Sequence, residues 1–240
     1  RRRHTRFRNV TGVQTCALPI SKVTGAHDSL LKSMNARDIN LDYADDGRTL
    51  QNTTLAGTSS IAIANKSGAG GMSLASEFID VALEPDGSVR SLTSRERVVA
   101  TLPATKDTGT RTIRSNAMTA AGSAEGLREM KFTDGVEYRE AATRTQGART
   151  AHAKALEARL DPAAGVLQEA QFSNNFDFTD GSLQAFATNA VYQVQAGTLA
   201  LVGPDRTPEM RDEALTLTAT TMDVTLDPRK MVAKGNVRST

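Results

Sequence analysis

The sequence predicts an all-β protein, with many short antiparallel strands stacked as repeated units into an open slab. Three observations carry this. Apolar and polar residues alternate at period two through most of the chain. Asp-Gly and Asp-Pro turn signals interrupt that alternation. One pattern, A-x-x-[LM]-[ED]-[AV]-x-L-D-P, recurs along the chain.

The register of the repeat comes from AKALEARLDP at 153–162 and ATTMDVTLDP at 219–228, which match at identical spacing. ASEFIDVALEP at 75–85 is the same pattern with one residue more. ARDINLDYADDG at 36–47, SNAMTAAGSAEG at 115–126 and ATNAVYQVQAG at 187–197 also fit. The six copies start at Ala36, Ala75, Ser115, Ala153, Ala187 and Ala219, a period of 32–40 residues. Each unit is expected to read strand–turn–strand–turn–strand.

In the first strand of each unit the inward positions are Ile39 and Leu41, Ile79 and Val81, Met118, Leu156 and Leu160, Tyr192 and Val194, and Met222, Val224 and Leu226. Polar residues such as Glu157, Arg159, Asp223 and Thr225 lie between them, as in a strand with one buried face. Second strands place Phe176 and Phe178, and Leu199 and Leu201, in the same row. Turns follow at Asp46-Gly47, Pro85-Asp86-Gly87 and Asp161-Pro162. Asp134-Gly135 and Asp180-Gly181 predict tight hairpins. AHAKALEARL at 151–160 is rich in helix formers. Its alternation, its Asp161-Pro162 stop and its β-branched repeat partner TTMDVTL predict a strand. Gly122 and Gly126 weaken a possible helix around Ala120–Met130.

The opening stretch departs from this pattern. VTGVQTCALPI at 10–20, preceded by RRRHTRFRN, holds the sole Cys and five Arg. Its apolar part is too short for a signal peptide and Pro19 interrupts it. It resembles the in-frame translation of a common short-read sequencing adapter. Residues 1–20 are therefore expected to stand outside the fold, with the natural chain starting near Ser21 as an internal fragment. Residues 21–33 are expected to be a linker or truncated start, and 34–240 the repeats, divisible at 145/146. The net charge of +2 comes from this stretch: without its five Arg, 24 basic residues face 27 acidic ones. The charge then gives no argument for a nucleic-acid partner.

A catalytic or metal-binding arrangement is not visible. His27 and His152 are isolated, and no Cys remains after residue 20. Ser67-Gly-Ala-Gly-Gly71 lacks the Lys-Ser/Thr and helix of a phosphate loop and is expected to be a hairpin loop. Arg95, Arg97, Arg111, Arg114 and Arg149 are spread across the units and are expected on a solvated outer face. Only 4% of residues are aromatic and none is Trp, so aliphatic side chains must build the core. The inward row has two readings, a sealed core or an acyl-chain groove between splayed sheets, and periodicity cannot separate them.

The repeated A-x-x-[LM]-x-[AV]-x-L-[DE]-P turns and Met231-Val-Ala-Lys-Gly-Asn-Val237 resemble the lipopolysaccharide-transport periplasmic proteins, the OstA-like (organic-solvent-tolerance-like) family. Phe172–Phe178 and Leu199–Gly203 look like the same strand position in other units. The resemblance covers about residues 34–240. It implies an OstA-like β-jellyroll, V-shaped and stacked head to tail, with no enzymatic activity and no cofactor. It implies a periplasmic bridge that shields lipid A acyl chains, either soluble or anchored to the inner membrane through a missing N-terminal segment. The implied partners are lipopolysaccharide, other β-jellyroll transport proteins joined by edge-strand pairing and, indirectly, an inner-membrane ATPase complex. The alternative is a structural or surface β-solenoid with a sealed core and no lipid.

Overall fold

The computed structural model describes residues 14–24, 30–65, 71–213 and 215–240, with only the backbone course for 14–20. Ten long strands come first: β1 (Gln14–Thr24), β2 (Leu31–Tyr43), β3 (Leu50–Ala64), β4 (Gly71–Leu83) and β5 (Val89–Leu102), then β6 (Arg111–Ser123), β7 (Gly126–Glu140), β8 (Arg149–Asp161), β9 (Val166–Asp180) and β10 (Leu183–Gln193). Six short strands follow: β11 (Thr198–Val202), β12 (Glu209–Asp212), β13 (Leu215–Thr218), β14 (Thr221–Leu226), β15 (Arg229–Lys234) and β16 (Arg238–Ser239). All belong to one antiparallel sheet, a meander from β1 to β11 that continues to β14 and β15. The all-β class is as expected, and residues 151–160 lie in β8.

The repeat is structural. Ala36, Ala75, Ser115, Ala153 and Ala187 lie in β2, β4, β6, β8 and β10, and Ala219 just precedes β14. Each of the first four units holds two long strands rather than three short ones. The sequence reading miscounts because each long strand is bent near its middle and reads as two segments. Register shifts mark the bends, for example between Arg95 and Val98 in β5 and between Thr133 and Val136 in β7. In even strands the inward positions step by three at the bend, from Ser76 to Ile79, Ser115 to Met118 and Ala153 to Leu156. In odd strands they step by four, from Ser94 to Val98, Phe132 to Val136 and Phe172 to Phe176.

Left-handed pairs make the odd-strand bends: Gly57-Thr58, Glu96-Arg97, Asp134-Gly135 and Asn174-Asn175 all have positive φ. Such bulges re-aim a strand while keeping one face inward. Asp134-Gly135 is therefore a mid-strand corner, which corrects the hairpin reading. The same αL preference serves both uses. Carbonyls loosened at the even-strand corners are bonded by inward serines. Ser76 Oγ donates to Phe78 O at 2.9 Å, and Ser115 Oγ to Ala117 O at 2.8 Å.

The aligned corners fold the sheet into two layers. One layer holds the strand halves near the β2–β3, β4–β5, β6–β7 and β8–β9 turns, the other the opposite halves. Tyr138 and Phe172 meet edge to face across the layers at 5.8 Å. Beyond β10 the layers no longer share strands. β11, β14 and β15 extend the first from Asn189–Gln193, while β12, β13 and β16 extend the second from Gln184–Phe186.

The first strand begins at Gln14, inside the stretch expected to be foreign. Gln14–Ala17 pair with Asp38–Leu41 of β2, and the register shifts before Ser21. Ladder bonds are made by backbone, and an open edge such as β2 accepts any extended segment. The pairing is thus compatible with either origin of these residues. The side chains of Cys16, Leu18 and Ile20 lie outside the described residues, as does His27; of Ser67–Gly71 only Gly71 is described.

Candidate functional site

The space between the layers is the one extended apolar environment among the described residues. Of the predicted inward row, Ile39, Ile79, Val81, Met118, Leu156, Leu160, Phe176, Phe178, Tyr192, Val194, Leu199, Leu201, Met222, Val224 and Leu226 are all buried, and Leu41 is partly so. Phe172, Phe176 and Phe178 form a run of ring contacts at 5.1 and 6.3 Å in its middle. Burial is what period two predicts for this row. In the slab these side chains pack against one another as one buried cluster.

The interior opens at the C-terminal end. A cavity of about 410 Å³ lies where the layers have parted. Leu183, Met210, Leu215 and Leu217 line it from one layer, and Val224 and Met231 from the other. Asp212, Glu213, Arg229 and Lys230 complete its wall. Its size and its apolar lining with a few charged groups fit a ligand pocket. The sequence signal for it was weak, because β12, β13 and β16 are too short for a clear alternation.

Opposite the corners, strand ends of the two layers meet along a seam. Near the N-terminal end the seam is apolar, with Ile63, Met72 and Leu102 facing Leu127 and Leu160. Asn65 Nδ2 donates to Ala164 O across it at 2.6 Å. Further along, the seam is charged. Arg111 Nη2 donates to Glu140 Oε1 at 3.1 Å, and Arg149 Nε to Asp180 Oδ2 at 3.0 Å. All four are buried. Tyr138 donates to Glu140 Oε2 at 3.1 Å. Tyr192, from the opposite layer, accepts from Arg149 Nη1 at 2.9 Å and donates to Glu140 Oε2 at 3.5 Å. Arg229 continues the line, donating to Asp180 O at 2.9 Å and Asp212 Oδ2 at 3.2 Å.

These charges tune one another. Burial and then the Glu140 carboxylate push the Tyr138 hydroxyl well above the usual phenol pKa. The same two causes raise Tyr192. Burial works against the Arg149 charge, but Tyr192, Asp180 and Glu140 outweigh it and its pKa is raised.

The buried Arg111 and Arg149 correct the expectation that all five arginines face solvent; Arg95, Arg97 and Arg114 do have exposed side chains. The sequence held a signal for the difference. Arg111 stands two residues before inward Ile113, and Arg149 two before Ala151. Glu140 and Asp180 likewise follow Tyr138 and Phe178 at period two. Strand parity points all four inward; residue type alone argues for solvent.

Fold and site together define a class: a two-layer antiparallel β-slab with a continuous apolar interior, a charged seam and an opening at its C-terminal end. No family model and no curated protein sequence matches the chain. Among solved structures the chain is similar to LptH, the LptA homologous periplasmic component of the conserved lipopolysaccharide transport device from Pseudomonas aeruginosa. The two share 8% identity with a TM-score of 0.34, over 70% of this chain and 93% of that one.

Proposed function

We propose that the chain is a periplasmic carrier of lipopolysaccharide that shields lipid A acyl chains between its two layers. The observation that carries this reading is the C-terminal cavity, where the apolar interior becomes continuous with the outside. An acyl chain entering there leaves water for an apolar lining, at about 0.8 kcal/mol per buried CH₂. Charged and sugar groups stay outside the apolar lining, which Arg229 and Lys230 border. Going deeper requires the layers to part. They are joined through the backbone at the corners, whereas among the described residues every hydrogen bond across the seam involves a side chain, so the seam is the side that can open.

The strand order ends at β15, whose outer edge has no partner strand among the described residues. Such an edge is a template for another β protein, and stacking slabs end to end would extend the interior into a path. No covalent chemistry is required of this chain. Energy for directed movement would come from an ATPase elsewhere.

A second reading, a structural β-slab with a sealed core, is favoured by the burial of Leu156, Tyr192 and Met222. Photo-crosslinking separates the two. A photo-reactive residue at Leu217 should label with lipopolysaccharide, and one at Phe132, deep in the middle, far less. If neither Leu217 nor Met231 labels, the carrier reading fails and the structural one stands.

A further inference from the structure

The charged part of the seam has no counterpart in the adjoining unit. Arg111 and Glu140 are paired across β6 and β7, and Arg149 and Asp180 across β8 and β9. In β4 and β5 the corresponding positions are Met72 and Leu102, one step beyond the Ser73–Thr101 pair. Both are buried apolar residues at the same seam. The fold therefore closes its seam with hydrocarbon in one unit and with buried ions in the next two. Buried ion pairs are weak stabilisers, because desolvation offsets their attraction, and apolar replacements of similar volume often do as well or better. Stability alone gives no reason for the charges.

Their hydrogen bonding points to a ligand. A guanidinium carries five N–H donors. Arg111 spends one on Glu140, and its Nε is buried without a partner. Orphaned buried donors are rare in folded proteins and call for an explanation. Arg149 spends Nε on Asp180 and Nη1 on the hydroxyl of Tyr192. Tyr192 also reaches Glu140, so this one hydroxyl, supplied by the opposite layer, lies between the two ion pairs. When the layers part, Tyr192 leaves with its layer. Two guanidiniums with unspent donors are then left on one lip, directly above the apolar interior.

We propose that Arg111 and Arg149 form a phosphate site in the parted seam, taking the phosphate of an amphiphile in the place of the Tyr192 hydroxyl while its hydrocarbon enters between the layers. Arginine suits this role, since its planar fork matches phosphate oxygens bidentately. Glu140 and Asp180 hold the two guanidiniums in position and neutralise them while the seam is closed. The inference rests on the carrier reading and names the class of head group it accepts.

The test compares a phosphorylated glycolipid with its dephosphorylated form, each in the same neutral detergent micelles, titrated against the full chain. The wild-type chain should bind the phosphorylated form about tenfold more tightly, or better. R111M/E140L and R149M/D180L remove a whole pair each, a change that keeps the seam filled. Each should reduce the preference, and cooperative urea unfolding shows that the variant chain is still folded. Glu140→Gln keeps the shape and lifts the neutralising charge, so it should increase the preference. An unchanged ratio in all three variants overturns the proposal. Inorganic phosphate alone is the remaining arm. If it raises the wild-type thermal midpoint as much as the phosphorylated glycolipid does, the site takes free phosphate and the lipid assignment is overturned. Equal wild-type binding of both glycolipids sinks this inference and leaves the carrier reading intact; binding of neither sinks both.

Discussion

Asn65 donates its side-chain amide to the carbonyl of Ala164 at 2.6 Å, joining the end of β3 to the β8–β9 turn. It ties the two layers together at the apolar end of the seam, and Gly165 follows at a φ of 64° with Asn65 packed against it. Asn65 is buried, so Asn65→Ala leaves the Ala164 carbonyl without this donor. The expected cost is about 1–3 kcal/mol, read from urea unfolding. A loss below the error of the method would mean the seam is not held there.

The fold was legible wherever one face is buried and the pattern is long. The repeat, the strand at 151–160 and the inward row from Ile39 to Leu226 all follow from period two. What escaped was the third dimension. The corner residues Asp134-Gly135 carry a hairpin signature because hairpins and corners need the same left-handed backbone. Arg111 and Arg149 read as solvent-facing by charge, whereas strand parity points them inward. The C-terminal cavity was invisible because it depends on where two layers separate, and that is a property of pairing rather than of any one segment.

The corners give a second prediction. Asn174 and Asn175 hold φ values of 63° and 56° between inward Phe172 and Phe176. Asn tolerates this conformation, and a β-branched residue does not. Asn175→Val should cost about 1–2 kcal/mol in unfolding free energy, with Asn175→Gly close to neutral. Equal effects of the two substitutions would show that backbone strain is not what Asn175 relieves.

The phenylalanine run is expected to dominate the core. Phe172 is buried and contacts both Tyr138 and Phe176. Phe172→Ala should destabilise by about 3–5 kcal/mol. A cost near 1 kcal/mol would indicate that the layers collapse onto the gap and are less rigidly spaced than the slab implies.

The tyrosines predict an alkaline weakness. The pKa values of Tyr138 and Tyr192 are raised in the folded chain, first by burial and then by Glu140. The folded state therefore holds protons that the unfolded state releases from about pH 10 upward, and stability must fall as pH rises through that point. Tyr192→Phe removes one of the two groups. Its urea midpoint should fall less between pH 8 and pH 10.5 than that of the wild-type chain. Parallel declines would exclude Tyr192 as a source of the pH dependence.

The central claim is that the interior accepts hydrocarbon at its C-terminal end, and filling that end tests it most directly. Leu217 lines the cavity and is only partly buried, so Leu217→Trp can occupy the space without displacing the packed core. The measurement is the affinity of L217W for lipopolysaccharide, alongside its urea midpoint. Affinity should fall about tenfold or more, with the midpoint unchanged or raised. Wild-type affinity in a variant whose cavity is filled would contradict it.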